Sequence, residues 1–132
     1  MVSNPHVAVA GAAASEVAIM FRHRNISVVP VVDDHRTRHF LGVLSDRDLV
    51  THCLAAGLDP MRTRADEIMR TNSCVVGPEQ ELDGFVLQMG LDANDSHLRA
   101  TVTVVDQDRR VIGFISHPEL VPGLRIVWTP DA

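Results

Sequence analysis

The chain has 132 residues, 45% hydrophobic and 22% charged, which suits one compact unit or two small units packed together. Its net charge is −5 and all twelve basic residues are arginines, a balance that argues against a nucleic-acid partner. It contains neither a long apolar run nor a signal-peptide pattern, which predicts a cytoplasmic protein with no membrane contact.

The first part of the chain predicts a strand, a helix and two further strands. The triplet VAV at 7–9 is the first strand, and Val17, Met20 and Phe21 at helical spacing predict a helix over 12–24. The β-branched run SVVPVV then predicts a buried strand, and GVLS after the turn predicts its neighbour.

A second helix is predicted directly after GVLS. It covers 46–56 and ends at Gly57, which suits a helix C-terminus. The linker 58–70 follows, with a helical turn over 65–69. The residues expected to point inward from the second helix are Leu49, Val50, Cys53 and Leu54.

The same order of elements recurs after the linker. CVV at 74–76 predicts a strand, and Pro78 suits the first position of a helix over 79–91. Its apolar stripe comprises Leu82, Phe85, Val86 and Met89.

Two pairs of matching segments indicate an internal repeat. VPVVD at 29–33 matches VTVVD at 102–106, an offset of 73, and GVLSDRDLV at 42–50 matches GFISHPELV at 113–121, an offset of 71. Each half therefore predicts a βαββα unit, too small to be stable alone, in a mixed α+β/α/β fold. The predicted divisions are repeat 1 at 1–57, the linker at 58–70, repeat 2 at 71–121 and a tail at 122–132.

A strand ending in PVVD, a short turn and a G-h-h-S-x-x-D helix start, present twice, resemble the cystathionine β-synthase (CBS) domain. The resemblance covers about 7–121. The linker LAAGLDPMRTRADEIM is similar to that of stand-alone two-CBS proteins of actinobacterial type. The resemblance implies a Bateman module, in which two CBS repeats pack in pseudo-two-fold symmetry and leave clefts for AMP, ADP, ATP or S-adenosylmethionine.

The resemblance also implies a regulatory ligand sensor rather than an enzyme. No cofactor is obligatory, a homodimer is expected, and the output would pass through an unknown protein partner. The alternative is a ligand-free structural or interaction module that acts through dimerisation.

Specific residues follow from the resemblance. Asp48 would accept hydrogen bonds from both ribose hydroxyls, Ser45 would face the phosphate, and Arg47 would pair with it; backbone groups before Pro30 would read the adenine edge. The first cleft would comprise Ser27, Val28, Val29, Pro30, Ser45, Arg47 and Asp48. The second, weaker cleft would comprise Thr101, Val102, Ser116 and Glu119.

The same motifs also fit capping boxes, in which a serine and an acid three residues later satisfy each other's backbone N–H groups. For Ser45 and Asp48 both interpretations stay open, and a pure cap would make Asp48→Ala cost only about 1 kcal/mol. For Ser116 and Glu119 the cap is favoured, because Pro118 removes an N–H that a phosphate would use.

Other clusters predict less. Two acidic pairs, Asp33 with Asp34 and Asp46 with Asp48, suggest a magnesium-dependent phosphotransferase, but no glycine-rich phosphate loop or nucleophile motif accompanies them.

Metal and redox chemistry are not expected. His35 and His39 fall in a turn with no third ligand, so no metal site is predicted. Cys53 and Cys74 lie in apolar surroundings and are interpreted as buried small hydrophobic residues rather than a disulfide.

Overall fold

The computed structural model describes residues 2–3, 5–71, 73–77 and 102–115. The chain divides into two compact units, His6–Asn72 and Met1–Pro5 joined with Ser73–Ala132. The first five residues therefore belong with the C-terminal half. The repeat bounds taken from the sequence stay a prediction.

Apart from a two-residue strand at Val2–Ser3 that was not predicted, the described elements follow the predicted order. In chain order the strands are β1 (Val2–Ser3), β2 (Ala8–Val9), β3 (Val28–Val32), β4 (Phe40–Ser45), β5 (Cys74–Val76), β6 (Val102–Val105) and β7 (Val111–Ile115). The helices are α1 (Ala14–Arg24), α2 (Asp46–Asp48), a π-helix that continues it (Leu49–Leu54), and α3 (Ala65–Ile68). None of the helices in these ranges is long and apolar enough to cross a membrane.

The unit of residues 6–72 contains a three-stranded sheet in the order β2-β3-β4. β2 runs parallel to β3, which requires a crossover connection, and α1 supplies it. α1 buries Ala14, Val17 and Phe21, two of which were predicted from their spacing. It ends at Asn25, whose φ of 53° is left-handed and whose N–H donates to the Phe21 carbonyl.

For the predicted helix 46–56, the prediction of which residues point inward is partly wrong. After one α-helical turn, the backbone hydrogen bonds span five residues instead of four. One example is the bond from the Ala55 N–H to the Val50 carbonyl at 2.8 Å. Leu49 and Cys53 are buried as predicted, whereas Val50 and Leu54 are 54% and 59% exposed. Within the π-helix, the buried residues are therefore Leu49 and Cys53, which are four positions apart.

The end of the linker belongs to the sheet of residues 6–72. The Val43 N–H donates to the Arg70 carbonyl at 2.9 Å, and the Arg70 N–H donates to the Val43 carbonyl at 2.8 Å. Gly42 permits this approach, because a Cβ there would lie 2.5 Å from the Arg70 carbonyl oxygen. Arg70 thus extends the sheet beyond β4.

The second unit contains a four-stranded sheet in the order β1-β7-β6-β5. β5 is parallel to β6, and β6 is antiparallel to β7, which repeats the pattern of β2, β3 and β4. The register shifts match as well, at Val31/Val32 in one sheet and Val104/Val105 in the other.

The mixed α/β fold and its repeated strand pattern are thereby confirmed for the described residues. The predicted helix 79–91, the segment from 116 onward and the tail 122–132 lie outside them.

Candidate functional site

The residues predicted for the first cleft meet at one end of the three-stranded sheet. β3 begins where β4 ends, with Val28 opposite Ser45. The Asp46 N–H donates to the Ser27 carbonyl at 2.8 Å, which ties the start of α2 to the residue before β3. The segment before Pro30 and the S-x-x-D motif are therefore neighbours, although 18 residues separate Ser27 from Ser45 in the sequence.

Ser45 and Asp48 form the capping box that the sequence allowed. The Asp48 N–H donates to Ser45 Oγ at 3.1 Å. Asp48 Oδ2 in return accepts from the Ser45 N–H and from the Ser45 hydroxyl, each at 2.9 Å. This box fixes the helix start and orients the Asp48 carboxylate.

Asp48 does more than cap the helix, because its side chain is only 1% exposed and forms an ion pair with Arg70. Arg70 Nε donates to Asp48 Oδ1 at 2.7 Å, and His52 Nε2 lies 3.6 Å from the same oxygen. Both carboxylate oxygens are thus engaged within the unit. Arg70 could not be predicted as a partner of Asp48, because no local sequence pattern links residues 22 positions apart.

The remaining residues of the predicted first cleft differ in exposure. Ser27 and Arg47 are exposed and Val28 is intermediate, whereas Val29 and Pro30 are buried. The Arg47 N–H donates to the Asp46 carboxylate at 2.7 Å. Ser27 and Arg47 are therefore the predicted side chains that solvent, or a ligand, reaches most easily.

The second predicted cleft falls mostly outside the described residues. Thr101, Ser116 and Glu119 lie outside them, and Val102 is a buried first residue of β6. Thr103, which stands where the first repeat has Pro30, is fully buried, and its hydroxyl has no hydrogen-bond partner.

The four acidic residues considered for catalysis do not form one cluster. Asp33 and Asp34 follow the last residue of β3, whereas Asp46 and Asp48 lie at its beginning. A strand of this length separates its two ends by about 16 Å. A two-carboxylate magnesium site shared by these pairs has no geometric support.

Asp33 and Asp34 instead organise the turn between β3 and β4. The Thr37 hydroxyl donates to Asp33 Oδ1 at 2.7 Å and to Asp34 Oδ1 at 3.0 Å. The Asp34 and His39 N–H groups also donate to the Asp33 carboxylate. The pKa of Asp33 lies well below its usual range, mainly because of the Thr37 hydroxyl and also because of these N–H groups.

His39 and His35 lie in different surroundings at this turn. His39 Nδ1 lies 3.1 Å from Asp33 Oδ2, whereas His35 is exposed. Among the described residues, no group of three metal-ligating side chains is present. Cys53 is a buried free thiol whose sulfur lies 3.8 Å from the Leu58 carbonyl.

A shallow, open cavity of about 400 Å³ lies along β2 and α1. His35, in the turn after β3, forms part of its wall, which places the cavity at the end of the sheet away from Ser45. The described residues that line it are Val7, Ala8, Val9, Ala12, Glu16, Val17, Met20 and His35. It therefore does not coincide with the residues predicted to bind a ligand.

Comparison with known proteins gives a family match and a curated relative. Residues 1–55 match the family model of the CBS domain. The chain is 29% identical over 99 residues to hypoxic response protein 1 of Mycobacterium tuberculosis. That alignment covers 75% of this chain but only 64% of the relative's length.

Solved structures with the same fold cover nearly the whole chain. Hypoxic response protein I, crystallised with two coordinated zinc ions, has a TM-score of 0.72 at 23% identity, covering 95% of both chains. CBSX2 in complex with AMP has a TM-score of 0.67 at 21% identity, covering 89% of this chain and 84% of its own. CBSX2 is a CBS-pair protein of Arabidopsis thaliana.

Proposed function

We propose that the chain, whose residues 1–55 match the CBS-domain model and whose fold is that of CBS-pair structures, is a regulatory protein that binds an adenosine-containing metabolite beside Ser45 and Asp48. The observation that carries this proposal is the meeting of Ser27, Val28, Ser45 and Asp48 at one end of the sheet of residues 6–72.

The chemistry of these residues fits the proposed ligand. An ionised carboxylate only accepts hydrogen bonds, so Asp48 suits the two donors of a ribose cis-diol. Arg47, exposed one residue earlier, suits a phosphate through its bidentate guanidinium. The AMP complex of CBSX2, which shares the fold, supports the adenosyl class.

The test is a panel of AMP, ADP, ATP, NAD and S-adenosylmethionine in thermal-shift and calorimetric titrations. A ligand that binds only the folded chain raises its melting temperature, and the stabilisation grows with the logarithm of the ratio of ligand concentration to Kd. We expect at least one of the adenosyl compounds to stabilise the protein at millimolar concentration. The absence of any shift across the panel would contradict the proposal.

A second candidate, a ligand-free interaction module, is favoured by one observation. Both oxygens of Asp48 are already engaged, by Ser45 and by Arg70, so the carboxylate has a structural role without any ligand. The same titration panel separates the two candidates, because an interaction module would be silent in it.

The proposal includes a homodimer that acts in the cytoplasm through another protein and requires no obligatory cofactor. Ile19, Val50, Leu54 and Met61 are more than half exposed, and apolar side chains of this size are common at subunit contacts. Sedimentation velocity of the wild type and of Val50→Glu/Leu54→Glu tests the dimer. A monomeric wild type at micromolar concentration would contradict this part.

A further inference from the structure

The Asp48 carboxylate has little capacity left for a ligand. Oδ2 accepts two hydrogen bonds from Ser45, and Oδ1 accepts one from Arg70 Nε at 2.7 Å with His52 Nε2 at 3.6 Å. A carboxylate offers about four acceptor positions in total. Since the residue is also 0% exposed, a diol cannot reach it unless one internal donor leaves.

The Ser45 contacts are the harder ones to give up. They close the capping box within a single helical turn, so losing them would undo the helix start. The backbone of Ser45 is further fixed at the end of β4, opposite Val28. A ligand that displaced Ser45 would therefore have to disrupt the sheet end that positions Asp48.

Arg70 is the contact that can exchange. Its backbone is held to Val43 by two hydrogen bonds of 2.8 and 2.9 Å, but its long side chain is 23% exposed and has a route into solvent. Rotation of the side chain away from Asp48 would free Oδ1 while the backbone of the linker stayed on β4. Because the Arg70 side chain is partly exposed, water would hydrate the guanidinium after it leaves Asp48.

We propose that Arg70 is an internal competitor for the ribose-binding carboxylate, so that a diol binds Asp48 only when the Arg70 side chain has left it. This inference rests on the proposed function, since it assigns a regulator to the same site. The ion pair lowers the apparent affinity by the fraction of molecules in which Asp48 is available. It also sets specificity, because only a ligand with a diol replaces the lost hydrogen bond.

The test is calorimetric titration of the wild type and Arg70→Met with AMP and with 2′,3′-dideoxyadenosine 5′-monophosphate. We expect Arg70→Met to bind AMP about tenfold more tightly, as for loss of one competing charged hydrogen bond, with no gain for the dideoxy analogue. Arg62→Met is the matched control, because Arg62 lies in the same linker, is 88% exposed and contacts Asp59 only loosely at 3.8 Å.

The outcomes separate the inference from the proposed function. If the wild type binds AMP and folded Arg70→Met binds it equally or less tightly, the competitor role is wrong and the proposed function stands. If only Arg70→Met binds, the inference is supported in its strongest form. If neither binds AMP, the proposed function fails and the inference fails with it.

A second measurement covers the case in which Arg70→Met does not fold. In the wild type the Arg70 Nε–H should be a protected NMR signal, because it donates to a buried carboxylate at 2.7 Å. Saturation with AMP should shift this signal and remove its protection from solvent exchange. An unchanged Arg70 Nε–H signal at saturating AMP would overturn the inference.

Discussion

Asp48 has two structural roles, of which the sequence predicts only the first. As a cap it accepts from Ser45, and as the partner of Arg70 it carries a buried ion pair. A cost of about 1 kcal/mol for the loss of Asp48 accounts for the cap alone. The ion pair makes Asp48 the more important residue of the motif for stability.

Asp48→Ala should therefore destabilise the protein more than Ser45→Ala. Removing Ser45 Oγ costs about 1 kcal/mol of capping, whereas removing Asp48 also leaves the Arg70 guanidinium without its carboxylate, for a total of about 3 kcal/mol. Urea unfolding of both variants measures the difference. Arg62→Ala, an exposed control, should stay within about 0.5 kcal/mol of the wild type, and equal costs for the first two variants would contradict the importance of the ion pair.

Asp33 carries a pH-dependent contribution through the turn after β3. Its pKa is held below the usual value of 3.8 mainly by the Thr37 hydroxyl, so it stabilises the fold above that pH and loses this effect as the pH falls. Thr37→Val should raise the Asp33 pKa in a carboxyl NMR titration. It should also lower the melting temperature at pH 7 by more than at about pH 3.

Thr51→Val provides the control for this prediction. The Thr51 hydroxyl donates to the Arg47 carbonyl and to no carboxylate that the described contacts record. The Thr51→Val variant should therefore leave the titration of Asp33 unchanged. If Thr37→Val also leaves it unchanged, the role given to Thr37 is wrong.

At the scale of elements, the contact between the linker and β4 decides where Arg70 lies. The two backbone hydrogen bonds to Val43 require Gly42 to have no side chain. Neither feature follows from sequence patterns, because the linker is predicted only as a connection with one helical turn.

Gly42→Ala should be destabilising by about 2 kcal/mol, since an added Cβ would lie 2.5 Å from the Arg70 carbonyl oxygen and 2.9 Å from the Met69 sulfur. Gly11→Ala is the matched control, because its nearest neighbour, an Arg64 guanidinium nitrogen, would lie at an ordinary 3.8 Å. Thermal unfolding compares the two. Equal melting temperatures would show that the linker end is not packed on β4.

The π-helix predicts a sharp contrast between adjacent residues. Leu49 is 8% exposed and should cost about 2–3 kcal/mol when changed to alanine, whereas Val50, at 54% exposed, should cost less than about 1 kcal/mol. Urea unfolding at low protein concentration measures both without a contribution from self-association. Equal costs for the two variants would indicate that Val50 is buried in the core, as the sequence pattern predicts.

At the scale of the whole chain, much of the fold could be predicted because it is repeated. Matching segments such as VPVVD and VTVVD indicate the strands, and the equivalent register shifts in the two sheets confirm the pattern. The pairing of β1 with β7 could not be predicted, since a two-residue strand has no periodicity. The Asp48–Arg70 contact could not be predicted either, because it is a long-range pair that depends on the folded path of the linker.

The central claim is that an adenosyl ligand binds beside Ser45 and Asp48, and amide chemical-shift mapping with AMP tests it most directly. In ¹⁵N-labelled protein, we predict the largest shifts at Ser27, Val28, Ser45 and Arg47, at one end of β3. The turn around Thr37, at the other end, should change little. Absence of shifts at millimolar AMP, or shifts confined to the Thr37 turn, would contradict the claim.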